Sequence, residues 1–130
     1  MRLLLDTHVA LWATTEPERL PAAIAEQIAD PGNDVLVSVA SLWEIAMKHA
    51  RGRNPATMPI SAADARREFV AAGFTFLDVS ASHAIAVESL PSIHGDPFDR
   101  LLVAQALTEP LRLVTHDATL ASYSDTLIVF

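Results

Sequence analysis

Short apolar runs alternate with helical patterns along this chain, and that alternation restricts the possible folds more than any other feature. Two parallel strands need a crossover connection, which is usually a helix, so strands that alternate with helices are typical of parallel sheets. The order therefore predicts an α/β fold, a sandwich with a mostly parallel central sheet. The strand-like runs are 2–5, 35–37, 74–77, 111–114 and 127–130.

Breaker residues set the limits of the helical patterns between these runs. Pro17 stops the first helix, and Gly73 ends a helix over 61–72. Further helices are predicted over 21–30 and 81–89. The helix predicted over 38–50 is ended by the breakers Gly52, Asn54 and Pro55.

The composition limits both the size and the chemistry of the protein. The 130 residues suit one hydrophobic core, so we expect a single domain over 1–130. Apolar residues make up 51% and charged residues 19%, which is ordinary for a globular protein and unlike a disordered chain. The sequence has no cysteine, which excludes disulfides and thiolate zinc sites.

The charge balance argues against binding nucleic acid by bulk electrostatics. The formal net charge is -7, whereas neutralising phosphates normally requires a basic surface. A nucleic-acid substrate would therefore need cations as mediators. The one dense basic cluster consists of Lys48, His49, Arg51 and Arg53.

A signal peptide and a membrane helix are both excluded by the charges in the sequence. Asp6 interrupts the apolar run that follows Arg2. A membrane helix needs about 18 uncharged residues in succession, and the chain has no such stretch. We expect a cytoplasmic protein that does not contact a membrane.

Four acidic residues occupy positions that a parallel sheet brings to one edge. Asp6 and Asp117 follow predicted strands, and Glu44 lies in the early turns of the helix over 38–50. Asp99 lies near the start of a helix whose N-cap is Asp96. Because ligands of such sheets bind at the carboxyl ends of the strands, these four side chains are predicted to converge there.

Carboxylates that converge need a positive partner. Like charges a few ångströms apart raise one another's pKa, and a divalent cation relieves that repulsion. Oxygen ligands favour a hard ion such as Mg²⁺, with Mn²⁺ as a substitute. Such an ion lowers the pKa of water and neutralises a phosphodiester, so hydrolysis of a nucleic-acid backbone follows.

Each acid also has a simpler explanation. Asp6 and Asp117 could be helix N-caps, and Ser41 with Glu44 matches a capping box. Glu44 and Lys48 match an i,i+4 ion pair, and Asp99 near a helix start is favoured by the helix dipole. The aromatic residues Trp12, Trp43 and Phe98 are predicted to lie in the core.

Two rival functions remain open at this point. An aspartate-nucleophile phosphatase would use Asp6, but such enzymes need a second Asp two residues later, where this chain has His8. A trapped aspartyl-phosphate on Asp6 would support that function. The second rival is a non-catalytic, metal-stabilised interaction module, which the absence of RNA cleavage would favour.

Four blocks of sequence resemble the VapC-type PIN-domain toxins, and together they span nearly the whole chain. The second and third blocks are the most specific. The blocks are LLLDTH at 3–8, SLWEIAMK at 41–48, DPFDRLLVAQA at 96–106 and THD at 115–117.

The resemblance implies a PIN-like three-layer α/β/α sandwich and a Mg²⁺-dependent toxin endoribonuclease. It implies cleavage of RNA, commonly tRNA or rRNA. We expect the leaving 3′ oxygen to depart and the product to carry a 5′-phosphate end. The resemblance also implies a homodimer and neutralisation by a VapB-type antitoxin whose tail enters the site. The implied metal ligands and catalytic residues are Asp6, Glu44, Asp99 and Asp117.

Substrate-binding residues are predicted around these four acids. Lys48, Arg51 and Arg100 are candidates for contact with RNA phosphates. Thr115 is a further candidate, and the resemblance implies that it supports the acidic site. The resemblance also implies that Asp96 and Arg100 organise the rim.

Overall fold

A five-stranded parallel sheet forms the centre of the protein in the computed structural model, which describes residues 1–51 and 58–130. The strand order is β3-β2-β1-β4-β5, and every pairing is parallel. This confirms the predicted α/β class. The strands are β1 (Arg2–Leu5), β2 (Asp34–Ser38), β3 (Thr75–Leu77), β4 (Arg112–Thr115) and β5 (Ile128–Val129).

Helices cover both faces of this sheet. The α-helices are α1 (Thr7–Thr15), α2 (Ala22–Ala29), α3 (Val39–Ala50), α4 (Ala62–Ala71), α5 (Ala81–Ala86) and α6 (Pro97–Thr108). Short 3-10 helices occur at Pro17–Arg19, Val87–Ser89 and Ala118–Tyr123. Each predicted helix is present, with ends that differ by a few residues.

The alternation of side chains along β1 divides the core into two layers. Leu3 and Leu5 pack on one face with residues such as Val9 of α1 and Phe69 of α4. Leu4 faces the other side and packs with residues of α6, including Val103. Successive strand residues point to opposite faces, so a strand with buried residues on both faces must lie between two helical layers. The three-layer α/β/α prediction is confirmed.

Local residues determine where the helices begin and end. The Ser38 side chain caps α3, and the Asp96 side chain caps α6 through the backbone N–H groups of Phe98 and Asp99. Gly73 follows α4 with φ of 84°, a conformation that side-chain-bearing residues rarely adopt. The predicted breakers Gly52, Asn54 and Pro55 lie outside the described residues.

Two local predictions are wrong. Ser41 and Glu44 do not form a capping box, because α3 begins at Val39 and Ser38 is its cap. Trp43 is not in the core: it is 58% exposed, and its ring lies edge-on to that of Phe98 with 4.9 Å between centroids. The helical pattern placed Trp43 on an apolar face, but the sheet buries the opposite side of α3, where Ile45 lies.

Among the described residues, no helix has the length and hydropathy needed to cross a membrane.

Candidate metal centre

The sheet topology brings the four predicted acids to its carboxyl edge. Asp6 immediately follows β1, and Asp117 lies two residues after β4, the neighbouring strand. Glu44 lies on α3, which directly follows β2 on the other side of β1. Asp99 lies in the first turn of α6. The crossover connections of a parallel sheet explain why acids so far apart in sequence meet.

One cavity of about 230 Å³ contains all four acids. Asp96 adds a fifth carboxylate to its walls, and Lys48 contributes a positive charge. The cavity is therefore strongly acidic. Its lining residues are Asp6, His8, Val9, Trp12, Glu44, Lys48, Asp96, Asp99, His116 and Asp117.

Asp6 is held by a buried threonine. Asp6 is 8% exposed, and the Thr115 hydroxyl donates a hydrogen bond to Asp6 Oδ2 at 2.6 Å. Burial raises the pKa of Asp6, and this hydrogen bond opposes the increase. The Asp6 side chain makes no N-cap hydrogen bond to α1, so the capping explanation fails for this residue. Its carboxylate instead faces the cavity.

Glu44 is buried with a partner on each oxygen. The Thr7 hydroxyl donates to Glu44 Oε1 at 2.7 Å, and the ammonium group of Lys48 lies 2.6 Å from Oε2. Thr7 Oγ1 is also 2.9 Å from Ser41 Oγ. The expected Glu44–Lys48 pair is thus present. Lys48 thereby neutralises the charge of one carboxylate in the cavity, because a buried carboxylate needs a charged or hydrogen-bonding partner.

Asp99 has the least favourable position for a negative charge. Burial, together with the charges of Asp6, Asp96 and Glu44, raises the pKa of Asp99 to about 7. An acid with so high a pKa is partly protonated at neutral pH. A cation in the cavity would displace that proton, because it would offset the repulsion that raises the pKa.

Asp117 is the most accessible of the four acids. Its Oδ1 accepts hydrogen bonds from the backbone N–H and the hydroxyl of Thr119, so here the capping role is real. Its Oδ2 lies 2.9 Å from Nε2 of His94. The hydrogen bond from the Thr119 hydroxyl lowers the pKa of Asp117. Asp117 therefore stays ionised where Asp99 does not.

The residues in this cavity fit a hard divalent cation. The donors are mainly carboxylate oxygens, which Mg²⁺ and Mn²⁺ prefer. Side-chain nitrogen and oxygen atoms of His94, Asp99 and Asp117 lie within 4.8 Å of one another, and Asp6 and Glu44 complete the acidic wall. Burial and the neighbouring charges of Asp6, Asp96 and Glu44 raise the pKa of Asp99, and a cation here would offset the part due to those charges.

Comparison with known proteins gives a family for this arrangement. The profile of the PIN domain matches residues 3–125. The chain belongs to the PIN-domain family. It is 34% identical over 122 residues to Ribonuclease VapC22 of Mycobacterium tuberculosis, an alignment that covers 93% of this chain and 91% of the relative. The predicted resemblance to VapC-type proteins is confirmed.

Solved structures share the fold of this PIN domain at low sequence identity. The structure of VapBC2 from Rickettsia felis bound to a promoter DNA fragment gives a TM-score of 0.72 at 18% identity, covering 100% of this chain and 98% of that chain. DNA-bound VapBC from Salmonella typhimurium gives a TM-score of 0.70 at 15% identity, covering 100% of this chain and 97% of that chain. These likenesses establish the PIN fold.

The predicted substrate-binding residues of the PIN domain have different surroundings. Lys48 lines the cavity but is paired with Glu44. Arg51 is exposed at the end of α3 and is not among the lining residues. Thr115 is fully buried, so it acts on Asp6 and is too deep to touch a substrate.

Arg100 holds the loop before α6 in place. Its guanidinium donates to the carbonyl oxygens of Pro91 (2.9 Å) and Val87 (3.2 Å) and to the Tyr123 hydroxyl (3.2 Å). Arg100 is not among the residues that line the acidic cavity. A bidentate contact with phosphate would require breaking these bonds, so its placement favours a structural role at the rim over RNA binding.

Sequence reasoning missed three polar residues that hydrogen-bond to the acids: Thr7, Thr119 and His94. The pattern Asp-Thr at the start of α1 was visible, but nothing in the sequence pairs Thr7 with Glu44 at a separation of 37 residues. The five histidines show no zinc-binding spacing, and nothing in the sequence distinguishes His94 from the other four. Its proximity to Asp117 comes from the loop that leads into α6.

A larger groove of about 670 Å³ lies beside the acidic cavity and shares His8 and Trp12 with it. The guanidinium carbon of Arg19 lies 4.4 Å from the centroid of the Trp12 ring, a cation–π geometry. The described wall opposite α1 includes Met58 and Ile60. His8 and Trp12 therefore lie at the boundary between the groove and the acidic cavity.

Proposed function

We propose that this PIN domain is the toxin endoribonuclease of a type II toxin–antitoxin pair and hydrolyses RNA phosphodiester bonds with Mg²⁺, for which Mn²⁺ can substitute. The observation that carries the proposal is the convergence of Asp6, Glu44, Asp99 and Asp117 on one cavity. Burial, together with the charges of Asp6, Asp96 and Glu44, raises the pKa of Asp99, and a divalent cation would offset that repulsion. The relation to a mycobacterial protein named a ribonuclease supports RNA as the substrate.

Each residue of the cavity has a role in this proposal. Asp6, Glu44, Asp99 and Asp117 hold the ion, while Thr115 and Thr7 fix the orientation of Asp6 and Glu44. When bound, a divalent ion supplies positive charge and Lewis acidity next to the scissile phosphate. Lys48 lies on the same wall, where its ammonium group would offer a positive charge to a phosphate. The expected product carries a 5′-phosphate.

Cleavage of total RNA by the purified protein tests this function. We expect cleavage with Mg²⁺ or Mn²⁺, none with EDTA, and loss of cleavage in Asp6→Asn and Asp99→Asn. The matched control is Asp34→Asn, since Asp34 is exposed at the amino end of β2, away from the cavity. Retained cleavage in folded Asp6→Asn protein would refute the mechanism.

The RNA target and the product ends require a separate measurement. We expect tRNA or rRNA to be cut at a small number of sites, with 5′-phosphate ends. Sequencing of 5′ ends from cells that express the wild type or Asp99→Asn protein would locate them. Uniform degradation of all RNA would contradict the proposed role as a target-selective toxin.

We further propose a VapB-type antitoxin as the partner and the cytoplasm as the site of action. The groove beside the cavity has the size and mixed character to take an antitoxin tail, and it leads to the acids. A small upstream gene for a DNA-binding protein is expected. Its product should bind the PIN domain and stop RNA cleavage, and Trp12→Ala should weaken that inhibition; a product that leaves cleavage unchanged would contradict the pairing.

A homodimer is the proposed assembly. Val39, Trp43 and Met47 are exposed at i,i+4 spacing on α3, an apolar stripe that a second copy could cover. Light scattering should give twice the monomer mass, and Trp43→Ser should lower it. A monomer at micromolar concentration would contradict this assembly.

A non-catalytic interaction module is the second candidate, because family membership alone does not require turnover. It would bind Mg²⁺ and the antitoxin but leave RNA intact. Titration calorimetry with Mg²⁺, combined with the RNA cleavage assay, distinguishes the two functions.

A further inference from the structure

His94 makes polar contacts with both edges of the acidic cavity. Its Nε2 lies 2.9 Å from Asp117 Oδ2 and 3.7 Å from Asp99 Oδ2. Its Nδ1 lies 3.0 Å from the backbone nitrogen of Asp96, the residue that caps α6. The imidazole ring thus joins the start of α6 to the loop after β4.

These contacts determine which ring nitrogen carries the proton. A backbone N–H can only donate, so the lone pair of Nδ1 must accept from Asp96. The remaining nitrogen, Nε2, therefore carries the hydrogen and donates it to Asp117 Oδ2. A nitrogen that carries hydrogen has no free lone pair for a metal.

We propose that His94 is a positioning residue for the metal centre: it fixes the Asp117 carboxylate by donating a hydrogen bond from Nε2 and does not itself bind the ion. This inference rests on the proposed metal-dependent function. Asp117 is the most accessible of the four acids and follows a strand end, so its orientation depends on such contacts. Thr119 donates two hydrogen bonds to Oδ1 and His94 donates one to Oδ2, which leaves the second lone pair of Oδ2 for the cation.

Further contacts make His94 a rigid support. The backbone N–H of His94 donates to the Tyr123 hydroxyl at 2.9 Å, and Arg100 donates to the same oxygen. The histidine is therefore fixed at its backbone and at both ring nitrogens. Groups that orient a metal ligand in this way typically change metal affinity about 10-fold to 100-fold when removed.

The direct-ligand alternative makes a different prediction about the metal. An imidazole ligand would favour Ni²⁺ or Zn²⁺ over Mg²⁺, whereas a centre of oxygen ligands favours Mg²⁺ and Mn²⁺. Metal selectivity therefore distinguishes a histidine that binds the ion from one that orients a carboxylate.

The first test is nitrogen NMR of the histidine rings in the wild-type protein. We expect His94 in the Nε2–H form without metal, and the same form after Mg²⁺ is added. A proton on Nδ1, or loss of the Nε2 proton when Mg²⁺ binds, would overturn the proposal. This measurement needs neither a variant nor catalytic turnover.

The second test is calorimetric titration of Mg²⁺ and Ni²⁺ into wild type, His94→Ala and His94→Gln. We expect the alanine variant to bind Mg²⁺ about 10-fold more weakly. The glutamine variant, whose amide can donate in place of Nε2–H, should recover most of that loss. Both variants should change Mg²⁺ and Ni²⁺ affinity alike.

The possible outcomes separate this inference from the proposed function. Equal Mg²⁺ affinity in wild type and folded His94→Ala would show that His94 supports only the loop. A loss confined to Ni²⁺ in both variants would make His94 a ligand. If the wild type binds no Mg²⁺, the proposed function fails instead.

Discussion

Thr115 Oγ1 donates a hydrogen bond of 2.6 Å to Asp6 Oδ2, although the two residues are 109 positions apart in the sequence. The same oxygen accepts the backbone N–H of Asp117 at 3.0 Å. One buried hydroxyl thus links the ends of two neighbouring strands to two acids of the cavity. The relative position of Asp6 and Asp117 depends on it.

Replacing Thr115 by valine tests this link. Valine keeps the shape but removes the hydroxyl, so both hydrogen bonds disappear and the pKa of Asp6 should rise further. We expect weaker Mg²⁺ binding by about 10-fold and a loss of about 1–3 kcal/mol in unfolding free energy. Calorimetry and urea unfolding measure the two effects. Thr115→Ser is the control and should restore both, and normal Mg²⁺ binding by the valine variant would contradict the link.

The raised pKa of Asp99 predicts how the stability of the metal-free protein depends on pH. Its pKa is raised from 3.8 to about 7, so between those values the folded state holds a proton that the unfolded state has lost. The contribution of Asp99 to the unfolding free energy must therefore fall as pH rises from about 4 to 7 and stay constant above that.

Asp99→Asn removes that dependence. In EDTA at pH 8 the variant should be more stable than the wild type by up to about 4 kcal/mol, and near pH 4 the difference should almost vanish. With saturating Mg²⁺ the order should reverse, since only the wild type gains the ion. Urea unfolding from pH 4 to pH 8, with EDTA and with Mg²⁺, measures this difference in stability. A constant difference between the two proteins would contradict the raised pKa.

Lys48 should oppose metal binding while assisting RNA binding. Its ammonium group lies 2.6 Å from Glu44 Oε2, a position that competes with a cation for that oxygen. Lys48→Met should therefore strengthen Mg²⁺ binding about 3-fold, while KM for RNA rises because a positive charge on the wall is lost.

Arg51→Met is the matched control for that change, because it removes one positive charge from the exposed end of the same helix. It should leave Mg²⁺ affinity unchanged. Titration calorimetry and cleavage kinetics provide the two readouts. Weaker Mg²⁺ binding in Lys48→Met would mean that Lys48 supports Glu44 and does not compete with the ion.

Arg100→Lys should lower stability more than activity. The guanidinium group binds carbonyl oxygens of Pro91 and Val87 and the Tyr123 hydroxyl, a set that a single ammonium group cannot satisfy. We expect a loss of about 1–3 kcal/mol in unfolding free energy. At temperatures well below unfolding, kcat should change little. A large rise in KM for RNA without loss of stability would support the predicted role of Arg100 in RNA binding.

The sequence by itself determined the class of fold and the edge at which the acids lie. Apolar runs separated by helical patterns require a layered parallel sheet, since only that arrangement buries strands on both faces. Given such a sheet, a residue that follows a strand lies at its carboxyl edge. The positions of Asp6 and Asp117 therefore followed from local pattern alone.

The tertiary structure determined which residues contact the acids. Contacts such as Thr7 with Glu44 and His94 with Asp117 join side chains that are 37 and 23 positions apart. Hydrophobic periodicity says which face of a helix is buried, but not which polar groups meet across elements. Those contacts depend on the packing of α1, α3 and the loop before α6 against one edge of the sheet. Hydrogen bonds form only within about 3 Å, and no pattern along the chain encodes such a distance.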